Sequence, residues 1–356
     1  MIHRKKTPLF VYVISFLSAA VVAVCAAIVL AVLARKPKAP TAAPRTMTYF
    51  GTACTLNLFE DGTTELYNAL FHRIAEIDAE FDTNLATSDI SQINAAAGDH
   101  AVPVHSDVVS VLRRALSYAE LSGGLFDPTV GPIVKLWAIG TDEAHIPNQR
   151  YIRAALPLVD WRSVVIDGET VFLEKEGMSL DLGAIVKGFA ADELKAMLSA
   201  RGVSKAIIDL GGNIYVYGKK LDDEPWYVGI KNPENESGDP ALVIQLSECG
   251  VVTSGVYERF FVQNGKRYHH LIDTKTGYPL ETSLLSATVI CQSCIDADAL
   301  STLVFLLGVD AGIELISRMN GVAAVFIDDN LEVTASESLK GLIESPIYKY
   351  KVFHFR

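Results

Sequence analysis

At 356 residues, half of them hydrophobic, the chain can bury a large core as one large domain or two ordinary ones, and its composition excludes intrinsic disorder. A formal charge of −11 and a pI near 5.2 offer no general attraction to nucleic acid, and no Lys/Arg-rich stripe with interleaved aromatics follows residue 46. Five cysteines, an odd number with one inside an apolar N-terminal run, imply no disulfide scaffold.

From Leu9 to Ala34 the only ionisable side chains are Tyr12 and Cys25, and the run exceeds the ~20 residues that cross a bilayer. It reads as a transmembrane anchor. Arg4, Lys5 and Lys6 precede it and Arg35, Lys36 and Lys38 follow, so the positive-inside bias is slight; the N-terminal amine tips the orientation to N-in with the body extracytoplasmic. A cleaved signal peptide is the competing reading, but the run is long for an h-region. Residues 1–8 are then cytoplasmic and 9–34 the anchor. Residues 35–46, RKPKAPTAAPRT, are a Pro/Ala linker, residues 47–345 the folded body and 346–356 a tail.

Within the body, Leu66, Leu70, Ile74, Ile77 and Phe81 recur at helical spacing over Thr64 to Phe81, and Val109, Leu112, Leu116 and Ala119 do so over Val108 to Leu121. Strand-like runs follow at Ser163 to Ile166, Thr170 to Leu173, Ala206 to Asp209, Asn213 to Tyr217, Trp226 to Ile230, Leu242 to Leu246 and Ala287 to Ile290. Helices are expected at Gly183 to Ala200 and Asp298 to Met319. Short strands at hairpin-like spacing mixed with long helices predict an α+β body rather than a βαβ repeat.

Walker A, GxGxxG, HExxH and GxSxG signatures are absent, while several segments are richer in Gly, Asp, Thr and His than connecting loops need. In YFGTACT (Tyr49 to Thr55) a glycine interrupts a strand and permits close backbone approach by a ligand. FDTNLATSDISQIN (Phe81 to Asn94) reads as turn and cap chemistry, with Ser88 or Asp89 an N-cap. GGLFDPTVGPIVKLW (Gly123 to Trp137) sets Asp127 and Thr129 around Pro128. DLGAIVKGFAADEL (Asp181 to Leu194) opens a helix with Lys187 about one turn inside, a combination that attracts phosphate.

In DADALSTLVFLLG (Asp296 to Gly308), Asp298 and Thr302 stand four apart on one helix face and offer hard oxygen ligands, enough for Mg²⁺ if a diphosphate completes the shell. Thr253 to Pro279 reads as a hairpin with Gly265 in its turn that delivers His269, His270 and Asp273. Adjacent strand histidines face opposite ways, so at most one serves in proton transfer. Cys291 and Cys294 form a CxxC, reduced or bridged, with no second pair at zinc spacing.

Taken in order, FGT (Phe50 to Thr52), SDISQIN (Ser88 to Asn94), LFDPTVGP (Leu125 to Pro132), DLGAIVKGFAAD (Asp181 to Asp192), TSGVYERFF (Thr253 to Phe261), HHLIDTKTG (His269 to Gly277) and DADALST (Asp296 to Thr302) resemble the ApbE-like FAD:protein FMN transferases over essentially all of residues 47 to 345. The resemblance implies a T-fold-like body that binds FAD in a cleft with Mg²⁺ on its pyrophosphate. It also implies transfer of FMN to a threonine of an acceptor protein, expected to be a membrane redox subunit, with release of AMP. By motif position it places the metal on the Ala184 carbonyl, Asp298 and Thr302. Flavin and nucleotide contacts fall on Phe50, Asn84, Leu125, Phe126, Asp127, Asp181, Lys187 and Ile272. His270 takes the proton-transfer role, Lys187 assists, and His269 is the bystander. Phe50 stands where many members have Met, Thr274 replaces Pro and Val186 replaces Ala. Asn84 stands where many relatives have Tyr, and some members with Asn there resemble FAD pyrophosphatases. A non-catalytic tethered flavin-binding protein is a further alternative.

Overall fold

The computed structural model describes residues 43–59, 62–220, 224–233, 239–344 and 353–356. The expected anchor, Leu9 to Ala34, lies outside the described residues; among those described, no helix is long and apolar enough to cross a membrane. The architecture is mixed α and β. Its centre is a nine-stranded sheet: β1 (Arg45–Tyr49), β2 (Thr52–Leu58), β3 (Ala206–Leu210), β4 (Asn213–Tyr217), β5 (Cys249–Gly255), β6 (Leu284–Cys291), β7 (Ala323–Asp328), β8 (Val333–Ala335) and β9 (Phe353–Phe355). Spatial order follows chain order, and every pairing is antiparallel except β8 with β9. That last strand comes from the stretch expected to be a tail.

Alternation sorts the strand side chains to two faces. One face, with Cys54, Leu56, Ile208, Leu210, Tyr215, Val252 and Val289, packs in the main core against helices α1 (Thr64–Phe81), α2 (Asp89–Ala95), α3 (Ser106–Ser122), α6 (Val186–Ala200), α7 (Cys294–Leu307) and α8 (Val309–Ser317). The other face, with Val216, Val251, Ile290, Val325 and Ile327, covers a three-stranded sheet of Trp226–Lys231, Pro240–Leu246 and Ile343–Glu344. A satellite cluster of Ile133, Trp137, Ile152, Ala155 and Ile272 joins α4 (Gly131–Trp137) and α5 (Gln149–Ala155) to the hairpin strands Phe260–Gln263 and Lys266–His269.

Expected and observed elements agree where periodicity is uninterrupted, as in α1 over Thr64–Phe81 with Thr63 as its N-cap. They differ at three places with a local cause. The helix expected from Gly183 starts at Val186, because Asp181 Oδ1 accepts the Gly183 N–H at 2.9 Å and holds 181–185 as a turn; Lys187 is therefore in the first helical turn. The helix expected from Asp298 to Met319 is two helices, starting earlier at Cys294 with Ser293 as N-cap and breaking at Gly308, whose φ of 79° the helix cannot continue. Phe50–Gly51 does not interrupt a strand but reverses it, at φ 52° and 68°, and the Phe50 N–H is held by Asp78 Oδ1 at 2.9 Å. The CxxC cysteines, Cys291 and Cys294, are buried free thiols.

Helices α6 and α7 cross in direct backbone contact at Gly188, where a Cβ would lie 2.2 Å from the Cys294 carbonyl oxygen and 2.7 Å from Ile295 Cα. Asp192 fastens the same crossing, accepting the otherwise orphaned Ile295 N–H at 3.0 Å. Alanine normally favours a helix over glycine by about 1 kcal/mol. Here the clash outweighs that preference, so Gly188→Ala is expected to destabilise the protein by about 1–3 kcal/mol in urea unfolding; an unchanged or raised midpoint would contradict the tight crossing.

Candidate active site

One end of the sheet gathers the Phe50–Gly51 turn, the Gly211–Gly212 turn, the C-terminal end of β5 and the start of β6. Strand alternation turns Ser254 of β5 to the helix face, where its Oγ lies 2.9 Å from Ser301 Oγ and 3.2 Å from Thr302 Oγ1 of α7. One turn earlier on α7, Asp298 is 4% exposed; its Oδ2 accepts the Gly188 N–H at 2.9 Å, and its Oδ1 stands 4.0 Å from Lys187 Nζ. Lys187 Nζ also donates to the Gly183 carbonyl at 3.1 Å. Ala184, half-buried against the main core, lies in the turn between them. The carboxylate and the ammonium thus meet beside the point where the backbones of α6 and α7 touch, and the three hydroxyls cluster about one turn further along α7.

His270 closes the site from the hairpin side. Its Nδ1 faces the Arg259 carbonyl at 3.2 Å, and since a carbonyl only accepts, Nδ1 carries the proton and Nε2 is left as a lone-pair acceptor. Desolvation pushes its pKa down to about 4, and the positive charges of Arg259 and Lys187 act in the same direction. Arg259 in turn reaches the Phe50 carbonyl at 3.5 Å, joining the hairpin to the β1–β2 turn. His269 is different. It is buried, with Nε2 against the Leu280 carbonyl at 3.0 Å and its ring edge-on to Phe305, so it braces the fold.

Several flavin-side candidates are committed to local structure. Asp127 is buried, and its oxygens accept from Thr129 N at 2.8 Å, Thr129 Oγ1 at 2.6 Å and Trp161 N at 3.1 Å, while burial raises its pKa. Phe126 packs edge-on to Tyr118 and Leu125 is half-buried on the main core. The Ile272 side chain belongs to the satellite cluster. Asn84 is exposed and folds back on Asp82 Oδ1, with N at 2.8 Å and Nδ2 at 3.0 Å. Asp273, expected beside the histidines, instead caps its own turn through Lys275 N and Thr276 Oγ1. Among the described residues no hydrogen bond ties Asn84 or Asp127 to Lys187, Asp298 or Thr302.

A groove of about 910 Å³ runs beside the hairpin past Tyr268, His269, Tyr278 and Leu284 and does not include Lys187, Asp298 or Thr302. A hollow of about 160 Å³ lies between Gly124, Asp127, Trp161 and Thr274. The convergence of Lys187, Asp298 and Thr302 lies outside the lining of both. Sequence reasoning passed over Ser254 and Arg259, although both lie in TSGVYERFF. A serine and glycine ending an apolar strand were the available signal.

The chain belongs to the ApbE family, whose model matches residues 50–326. Relatives include the FAD:protein FMN transferase of Treponema pallidum, 39% identical over 308 residues that cover 81% of this chain and 85% of the relative. The Klebsiella pneumoniae protein of the same name is 38% identical over 275 residues, covering 76% and 84%. Among solved structures, the ApbE protein of Thermotoga maritima superposes with a TM-score of 0.78 at 30% identity, covering 85% of this chain and 99% of that one.

Burial holds His269 and His270 neutral, so the unfolded chain takes up protons below its ordinary imidazole pKa of 6.5 that the folded state refuses until about 4 at His270. Their effect is absent above that range, and stability falls as pH drops from 6.5 towards 4. Replacing His270 with Gln should flatten this part of the pH profile of the urea midpoint. Parallel profiles for parent and variant would show that His270 protonates freely in the fold.

Proposed function

We propose that this chain is a Mg²⁺-dependent FAD:protein FMN transferase that cleaves the FAD diphosphate and joins FMN through a phosphoester to a threonine of an acceptor protein, releasing AMP. The observation that carries the reading is the approach of Lys187 to Asp298 beside the α6–α7 crossing, with Thr302 one turn further along the same helix. The donor set fits a hard cation: Asp298 uses Oδ2 on a backbone N–H and keeps Oδ1 available, and the Thr302 hydroxyl and the Ala184 carbonyl supply neutral oxygens. Mg²⁺ held by these three would neutralise diphosphate charge.

Lys187 binds the diphosphate as a point charge near the helix N-terminus, and by motif position Phe50, Leu125, Phe126, Asp181 and Ile272 are the flavin and nucleotide contacts. The acceptor threonine's Oγ attacks the FMN phosphorus. The new P–O bond forms as the anhydride P–O bond to AMP breaks, and the hydroxyl proton passes to His270 Nε2. The negative diphosphate opposes the desolvation that holds His270 at about 4 and raises its basicity in the loaded site. Water can replace the threonine, giving free FMN and AMP. The exposed Asn84, bonded to Asp82 instead of covering a ring, favours some such hydrolysis.

Asp298→Ala and removal of divalent metal should each abolish FAD cleavage in a folded protein. His270→Ala should lower turnover by ~10²- to 10⁴-fold, whereas Lys187→Ala should mainly raise KM. Cleavage of FAD at the parent rate by Asp298→Ala would remove the metal assignment. Incubation with FAD and a threonine-bearing acceptor should raise the acceptor mass by one FMN unit; complete FAD consumption with no such gain would make the protein a pyrophosphatase.

The apolar run from Leu9 to Ala34 supports a single-pass anchor with the body outside the cytoplasmic membrane, within reach of a membrane redox acceptor. Protease added to intact cells should therefore digest residues 47–356. Protection of the body until lysis would place it inside.

A further inference from the structure

We propose that Asn213 is a substrate-binding residue whose carboxamide donates to a phosphate oxygen of the FAD diphosphate; this rests on the transferase reading above. Asn213 opens β4 directly after the Gly211–Gly212 turn, which Asp209 Oδ1 holds through the Gly212 N–H at 2.8 Å. It is 4% exposed, and its Nδ2 is buried without a hydrogen-bond partner. Alternation with Tyr215 turns it to the helix face, the face that carries the site.

Strand register locates it within the site. Along one row across the sheet Cys54 pairs with Leu210, Leu210 with Asn213, and Asn213 with Val252. At one end of this row Lys187 acts electrostatically on Cys54. Past the other end, two residues along β5 from Val252, Ser254 meets Thr302. Asn213 therefore lies on the sheet face that the helices cover, one strand from the Ser254–Thr302 contact, where a diphosphate held by Lys187 and a cation would rest. Its cross-strand neighbours Leu210 and Val252 are apolar and offer no side-chain acceptor. A buried amide donor without a partner costs stability that an apolar residue of similar size would avoid, so its presence here is explained by a ligand that completes it.

The test uses the purified full chain and its Asn213→Leu and Asn213→Asp variants, with the thermal midpoint measured without ligand and FAD affinity measured by flavin fluorescence. We expect Asn213→Leu to keep or raise the ligand-free midpoint while weakening FAD binding at least about tenfold, the loss for one hydrogen bond to a charged group. Asn213→Asp should weaken it further, because a carboxylate would then face phosphate. A lowered ligand-free midpoint with FAD affinity within twofold of the parent would make Asn213 a structural residue and overturn the proposal. Affinity of Asn213→Asp equal to or better than that of Asn213→Leu would overturn the phosphate assignment. Failure of the parent itself to bind FAD would instead overturn the transferase reading.

Discussion

The site depends on one backbone-to-side-chain hydrogen bond, from the Gly188 N–H to Asp298 Oδ2, made where α6 and α7 touch. Any side chain at 188 would separate the helices, and separation would carry Asp298 and Thr302 away from Lys187. The bond also fixes the carboxylate's orientation, so that Oδ2 is spent on the scaffold and Oδ1 is turned towards Lys187. A carboxyl group 4% exposed would be costly to bury without such a partner. The same contact thus closes the core and prepares the charge.

The sheet converts segments distant in sequence into neighbours. Its turns at Phe50–Gly51 and Gly211–Gly212 and the end of β5 lie at one edge, and the helices that cover that face bring Lys187 and Asp298 over it. Polar residues in this region divide into two groups. Asp127, Asp181, His269 and Asp273 satisfy backbone groups of their own loops and give those loops a single shape. Lys187, Asp298, Thr302 and His270 keep at least one donor or acceptor directed away from the scaffold.

Much of this was legible in the sequence because the apolar periods of α1 and of β4 are unbroken and no tertiary contact overrides them. The ordered motifs identified the family, and the i, i+4 spacing of Asp298 and Thr302 placed both on one helix face. The start of α6 was misread because Asp181 competes for the Gly183 N–H, an Asx-type turn that composition alone does not distinguish from a helix start. Gly308 was read as helix interior although its backbone leaves the helical region. Ser254 and Asn213 were hidden for another reason. Each is a polar residue near a strand end, and only the register shows which residues it faces. The strand ends at His269, which is buried, and His270 follows it half-buried at the Arg259 carbonyl, a difference that adjacent histidines in a sequence do not reveal.

The most direct test of the account is a crystal structure of the protein with FAD bound. The account predicts the diphosphate against Lys187 Nζ, with a divalent cation joining it to Asp298 and Thr302 and the flavin extending towards Phe50. A diphosphate seated instead in the groove beside Tyr278 and Leu284, away from Lys187, would contradict it.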